Sequence, residues 1–186
     1  MSRMSEVLQA SQRVGVPDVL ERAWQWMEAQ GWGLSNAHGY FLAPYPGESR
    51  LGVVFTDSAS LDGWFGRGAE VSTDLLPMAH IGADGSIGAL WADSSGAVRV
   101  VGLGSEGSSY VLADSALDFL RLVAIGYREL TEHTLGREPD WPPAVAAVAG
   151  FRQWLQDSYG ATVPGHWPAV DASAEFSDWV AARVRL

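Results

Sequence analysis

The sequence predicts an α+β domain, an antiparallel β-meander sheet packed against helices, with a helical C-terminal extension. Three observations lead there. Segments 87–92, 98–103 and 109–112 have strand-like composition and follow one another closely. The turns between them are too short for the crossover that parallel strands require. Helical periodicity stands before and after this run of strands, the order of a sheet with helices packed on it.

Each element has its own signal. Residues 17–30 fit a helix: Pro17 suits the first turn, Asp18 and Glu21 favour its positive end, and Gly31 stops it. A shorter helix over 5–13 precedes it. Tyr40-Phe41-Leu42-Ala43 and Leu51-Gly52-Val53-Val54-Phe55 are strand candidates around the turn Pro44-Tyr45-Pro46-Gly47. Residues 58–68 make a glycine-rich loop carrying Trp64 and Phe65, and residues 75–81 lead into the three close strands. Ala83-Asp84-Gly85 and Asp93-Ser94-Ser95-Gly96 supply hairpin turns. Asp114 or Ser115 caps a helix whose apolar positions run from Leu117 through Ile125, ending at about Glu132. A linker over 138–143, a helix over 144–158 ended by Gly160, an irregular stretch over 162–168 and a helix over 171–184 complete the chain. The expected division is an α+β core over 1–136 and a helical segment over 137–186 packed on the same domain.

Composition excludes several chemistries. Among 186 residues there is no Cys, so thiol nucleophiles, disulfides and thiolate metal sites are ruled out. All twelve basic residues are Arg, which rules out Schiff-base chemistry and the P-loop lysine. The net charge is −10 and uneven: residues 48–118 hold ten acids against three Arg. Such a field repels nucleic acid and anionic lipid and attracts basic partners; its plainer use is solubility. No segment approaches the roughly 20 apolar residues of a membrane span. The N-terminus lacks the apolar core of a signal peptide. The expectation is a cytoplasmic monomer that touches neither membrane nor nucleic acid.

The motifs for chemistry are weak. Gly102-Leu-Gly-Ser-Glu-Gly107 has dinucleotide-loop spacing, but the residues after it are strand-like where that site needs a helix. His38, His80, His133 and His166 share no metal-ligand spacing, so neither metal nor cofactor is expected. Asp57 and Asp62 miss the calcium-loop pattern, because Ala59 and Leu61 cannot ligate. As an acid/base pair they would serve a hydrolase, the weakest of three functional readings. The aromatic pair Trp64 and Phe65, between Gly63 and Gly66, is more distinctive. It either folds back as a core plug or offers an exposed ring as an interface anchor. With Asp57, Asp62, Glu70 and Asp74 around it, the second alternative makes a footprint for an Arg- or Lys-rich protein.

A resemblance sharpens that reading. Leu76-Pro77-Met78-Ala79, Ala89-Leu90-Trp91 and Val100-Val101-Gly102-Leu103 are similar to the central hairpins of the SUKH superfamily of bacterial toxin-immunity proteins. These share a fold with a yeast cell-wall assembly regulator. The run Ser115-Ala-Leu-Asp-Phe-Leu-Arg-Leu-Val-Ala-Ile-Gly-Tyr-Arg-Glu-Leu130 resembles a helix of actinobacterial members, and Phe151-Arg-Gln-Trp-Leu-Gln-Asp-Ser-Tyr-Gly160 their C-terminal tails. The resemblance implies no enzyme. It implies an immunity protein that binds and neutralises a cognate basic protein toxin, often a nuclease. The alternative is a scaffold or regulator of the same fold.

Overall fold

A computed structural model of the chain describes residues 1–8, 14–47, 52–65, 71, 73–170 and 174–184. Its centre is one sheet of seven antiparallel strands in sequence order: β1 Gly33–Asn36, β2 Gly39–Leu42, β3 Val54–Thr56, β4 Leu75–His80, β5 Ile87–Ala92, β6 Val98–Leu103 and β7 Ser109–Ala113. The three strands expected in the middle fall where the sequence puts them, and each hairpin turn places a glycine at positive φ: Gly85, Gly96 and Gly107. The G-x-G-x-x-G segment is the β6–β7 turn, closed by Gly104 N–H donating to the Ser108 carbonyl at 2.8 Å.

Strand β5 is buried along its whole length because the sheet carries a core on each face. On one face Leu90, Val100, Tyr110 and Leu112 meet α1 Arg3–Leu8, α2 Asp18–Ala29, α3 Ala116–Val123 and α5 Ala149–Tyr159. On the other, Ile87, Ala89, Trp91, Val101 and Leu103 meet Phe176 and Val180 of α6 Ala174–Ala181. Alternating side chains serve opposite faces, so an uninterrupted apolar strand feeds both cores. Trp91, Val100, Leu103 and Phe119 are all fully buried, as the meander requires.

Several boundaries differ from expectation. Helix α3 ends at Val123, not near Glu132. Gly126 adopts φ +95° and sits so close to α4 Pro142–Ala147 that a Cβ would lie 2.6 Å from the Val145 Cα. Arg152 then caps the open end of α3, donating from Nε to the Ala124 carbonyl at 3.0 Å. The following residues cross the end of the sheet, where Leu130 N–H donates to the Ile81 carbonyl at 2.8 Å. The expected 144–158 helix is two helices, α4 and α5, meeting at Val148. β3 begins at Val54, not Leu51, and β1 has no counterpart in the sequence reading. Helix α1 starts earlier than expected; residues 9–13, the rest of that expected helix, and 171–173, the start of the last, lie outside the described residues. No helix among the described residues is long and apolar enough to cross a membrane.

Candidate partner-docking surface

The loop after β3 is built by short side chains bonding to nearby backbone. Ser58 N–H donates to Thr56 Oγ1 at 3.0 Å, and Asp62 N–H to Ser60 Oγ at 3.2 Å. Trp64 and Phe65 N–H both donate to the Leu61 carbonyl, at 2.9 and 3.1 Å. This single turn points the two adjacent rings in different directions. Phe65 is 5 % exposed and meets the Trp179 ring edge-on at 6.0 Å. Trp64 is half-buried and lines a cleft. The adjacent rings thus differ: Phe65 packs as a core plug, and Trp64 keeps part of its ring in the cleft.

The carboxylates expected around the pair also separate. Asp57 and Asp62 are exposed, though Asp57 Oδ1 accepts the Tyr40 N–H at 2.8 Å, tying the turn to β2. Asp74 is only 9 % exposed, 3.9 Å from Arg183 Nη2 after α6. It sits where β4 begins, with its carbonyl accepting the Ala92 N–H at 2.8 Å. Phe65 and Asp74, both expected to face a partner, are buried in this structure: Phe65 packs on Trp179 of α6, and Asp74 lies beside Arg183 just after that helix. Glu70 lies outside the described residues.

The cleft beside Trp64 has a volume of about 620 Å³. Its walls are Trp64, the β4–β5 and β6–β7 turns, and Val180 and Val184 from the C-terminal segment, with Ile87 as part of the floor. Ser105 belongs both to this cleft and to a hollow of about 180 Å³ next to it. That hollow is ringed by Asp84, Glu106, Glu129, Glu132 and His133. Acids from two hairpin turns and from the segment after α3 thus gather at one end of the sheet. Asp84 Oδ2 accepts the Ser105 hydroxyl at 2.7 Å and Oδ1 the Ser86 N–H at 2.9 Å. Partial burial works against its charge, but these hydrogen bonds outweigh it and hold the carboxyl below the ordinary aspartate range. Tyr110, beneath, is buried, which together with the fields of Glu132 and Asp84 pushes its hydroxyl well above the usual value. It donates instead to the Leu130 carbonyl at 2.9 Å.

Four of the arginines find partners within the fold. Arg99 lies 3.4 Å from both Asp93 and Glu175; Arg121 lies 2.9 Å from Asp118. Arg152 serves helix carbonyls, and Arg183 stacks 4.2 Å above Trp179. The acids around the hollow are exposed or half-exposed, and His133 lies 3.6 Å from Glu132. Among the described residues no three His, Asp or Glu are arranged to hold a metal ion. The sequence reading missed Glu129 and Glu132 because it placed them on a helix, and it took Asp84 only as a turn former. The signal available was their charge, but nothing local brings four separated acids together.

The fold and this surface define a class, an α+β domain with a two-sided meander and an acidic, cleft-bearing end. Compared with protein-family models, curated proteins and solved structures, the chain finds no match.

Proposed function

We propose that this domain is a non-catalytic binding protein that neutralises a basic protein partner, the immunity role that the SUKH resemblance implies. The supporting observation is the charge arrangement. Carboxylates ring a hollow that shares Ser105 with the cleft beside Trp64, while Arg99, Arg121, Arg152 and Arg183 are engaged by acids, helix carbonyls or a ring of the fold itself. A basic toxin would be steered by the acids and anchored by an apolar contact against Trp64, Ile87 and Val180. Covering its active site would then need no chemistry from this chain.

The test is co-expression with any toxin-like protein that a survey of the neighbouring genes turns up. Growth should be rescued and a stoichiometric complex recovered. Its association rate should fall as salt rises, since exposed charges are screened beyond roughly 8–10 Å at physiological ionic strength. Charge reversal at Glu106, Glu129 and Glu132 together should slow association without lowering the melting temperature. A complex indifferent to both salt and reversal would sink the acidic-surface reading; absence of any complex or rescue would sink the immunity reading.

A further inference from the structure

The chain treats the two edges of its sheet differently. At the β7 edge, Trp167 Nε1–H donates to the Leu112 carbonyl at 2.9 Å and the Ser177 hydroxyl to the Ser109 carbonyl at 3.0 Å. Both groups come from the C-terminal segment and occupy carbonyls of the edge strand. At the β1 edge all four residues are exposed, and Leu34, 49 % exposed, is one of the few large apolar side chains left in solvent. Edge strands present unpaired N–H and C=O groups and are usually blunted by charge, proline or a bulge. β1 has none of these: it reads Gly-Leu-Ser-Asn and pairs with β2 in unbroken register. The neutrality extends beyond the strand, for residues 29–47 contain no Asp, Glu or Arg.

We infer that β1 is a self-association edge, on which a second copy of the chain lays its own β1 antiparallel about a two-fold axis. This goes beyond the proposed function and replaces the monomer expected from the sequence. Charge selects the occupant. A chain of net −10 repels its own copies wherever carboxylates face each other. The four β1 residues bring none, and the nearby carboxylates of Glu28 and Asp57 are engaged by Tyr40, Glu28 also accepting backbone N–H groups at the start of α1. An identical strand is self-complementary in the antiparallel sense, so one symmetric contact satisfies both edges. Leu34 of each copy is covered at the junction. Trp32, packed edge-on against Trp26 at 5.0 Å, fixes the entry of the strand from α2.

Sedimentation equilibrium of the full chain over a range of concentrations and salt tests this. The expected result is a monomer–dimer equilibrium that tightens as salt rises, because salt screens repulsion between two acidic chains. Leu34→Lys should weaken the dimer by about tenfold or more, the charge standing where two strands would meet, with the melting temperature unchanged. Amide exchange within β1 should slow as concentration rises, and Trp64→Ala should leave the dimer intact. A chain that stays monomeric at every concentration and salt, a dimer that survives Leu34→Lys, or one that weakens with salt would overturn the inference. Binding of a basic partner has the opposite salt dependence, so either reading can fail without the other.

Discussion

Trp64 and Phe65 are adjacent in sequence and opposite in environment, which lets two single substitutions separate packing from recognition. Phe65→Ala empties a site in the second core and should cost about 3–5 kcal/mol of stability. Trp64→Ala removes a half-exposed ring. It should leave the melting temperature nearly unchanged while weakening the basic partner by about 2 kcal/mol or more. Thermal melts and partner titrations on both variants give the four numbers required. If Trp64→Ala melts as low as Phe65→Ala, the ring belongs to the core and the docking role fails.

Glu21 is a second residue with a clear consequence. Burial alone would raise its pKa, but hydrogen bonds from the Ser5 and Ser2 hydroxyls and the Ser2 N–H outweigh this and lower it. Its neighbour one helical repeat on, Glu28, accepts the Arg3 and Met4 N–H groups at 3.1 and 3.0 Å. Two carboxylates of α2 thus satisfy the open N-terminus of α1. With the folded pKa of Glu21 depressed, the unfolded chain takes up its proton first as pH falls. Its stabilisation is present above the ordinary carboxylate value of about 4.3 and is lost as pH drops through the lowered one. Asp84 follows the same sign. Glu21→Gln should therefore be less stable than the parent near neutral pH, with the gap closing in acid; a gap independent of pH would remove the carboxylate from the account.

At the scale of elements, α3 shows what a cap and a glycine do together. Ser115 accepts the Asp118 N–H at 3.1 Å in extended conformation, so Ser115→Ala should cost about 1 kcal/mol. Phe119, fully buried and edge-on to Phe55 at 6.3 Å, should cost about 3–5 kcal/mol on truncation to Ala. Denaturant midpoints measure both, and a near-neutral Phe119→Ala would contradict the packing of α3 on the sheet. The start of this helix was legible because caps are local chemistry. Its end was not, because Gly126 is set by the approach of α4, a contact between segments far apart in sequence. β5, β6 and β7 were legible from strand-like composition and turn residues. β1 was not: with all four residues in solvent it carries no apolar alternation, and only pairing with β2 makes it a strand. The candidate site divides the same way. Trp64 stood out by its glycine neighbours, whereas the hollow of Asp84, Glu106, Glu129 and Glu132 exists only once the sheet and the crossing segment after α3 are in place.

For the molecule as a whole, the sheet is a run of nearest-neighbour hairpins, so almost every strand pairs with the one just made. Contacts of that kind form early, because short loops cost little entropy to close. The lid on the second face is of the other kind. α6 lies far along the chain from β5, yet its Phe176 ring is only 4.9 Å from Trp91. During synthesis the sheet can therefore assemble while Ile87, Trp91 and Leu103 still lack their cover. The nascent protein then passes through an interval in which an apolar sheet face centred on Trp91 is open to chaperones or to neighbouring chains on the same message. Arrival of α6 ends that interval, sealing the face and, through Val180 and Val184, completing the wall of the cleft beside Trp64 in the same step. On the function proposed above, a chain that has not yet made α6 has no cleft with which to engage a partner.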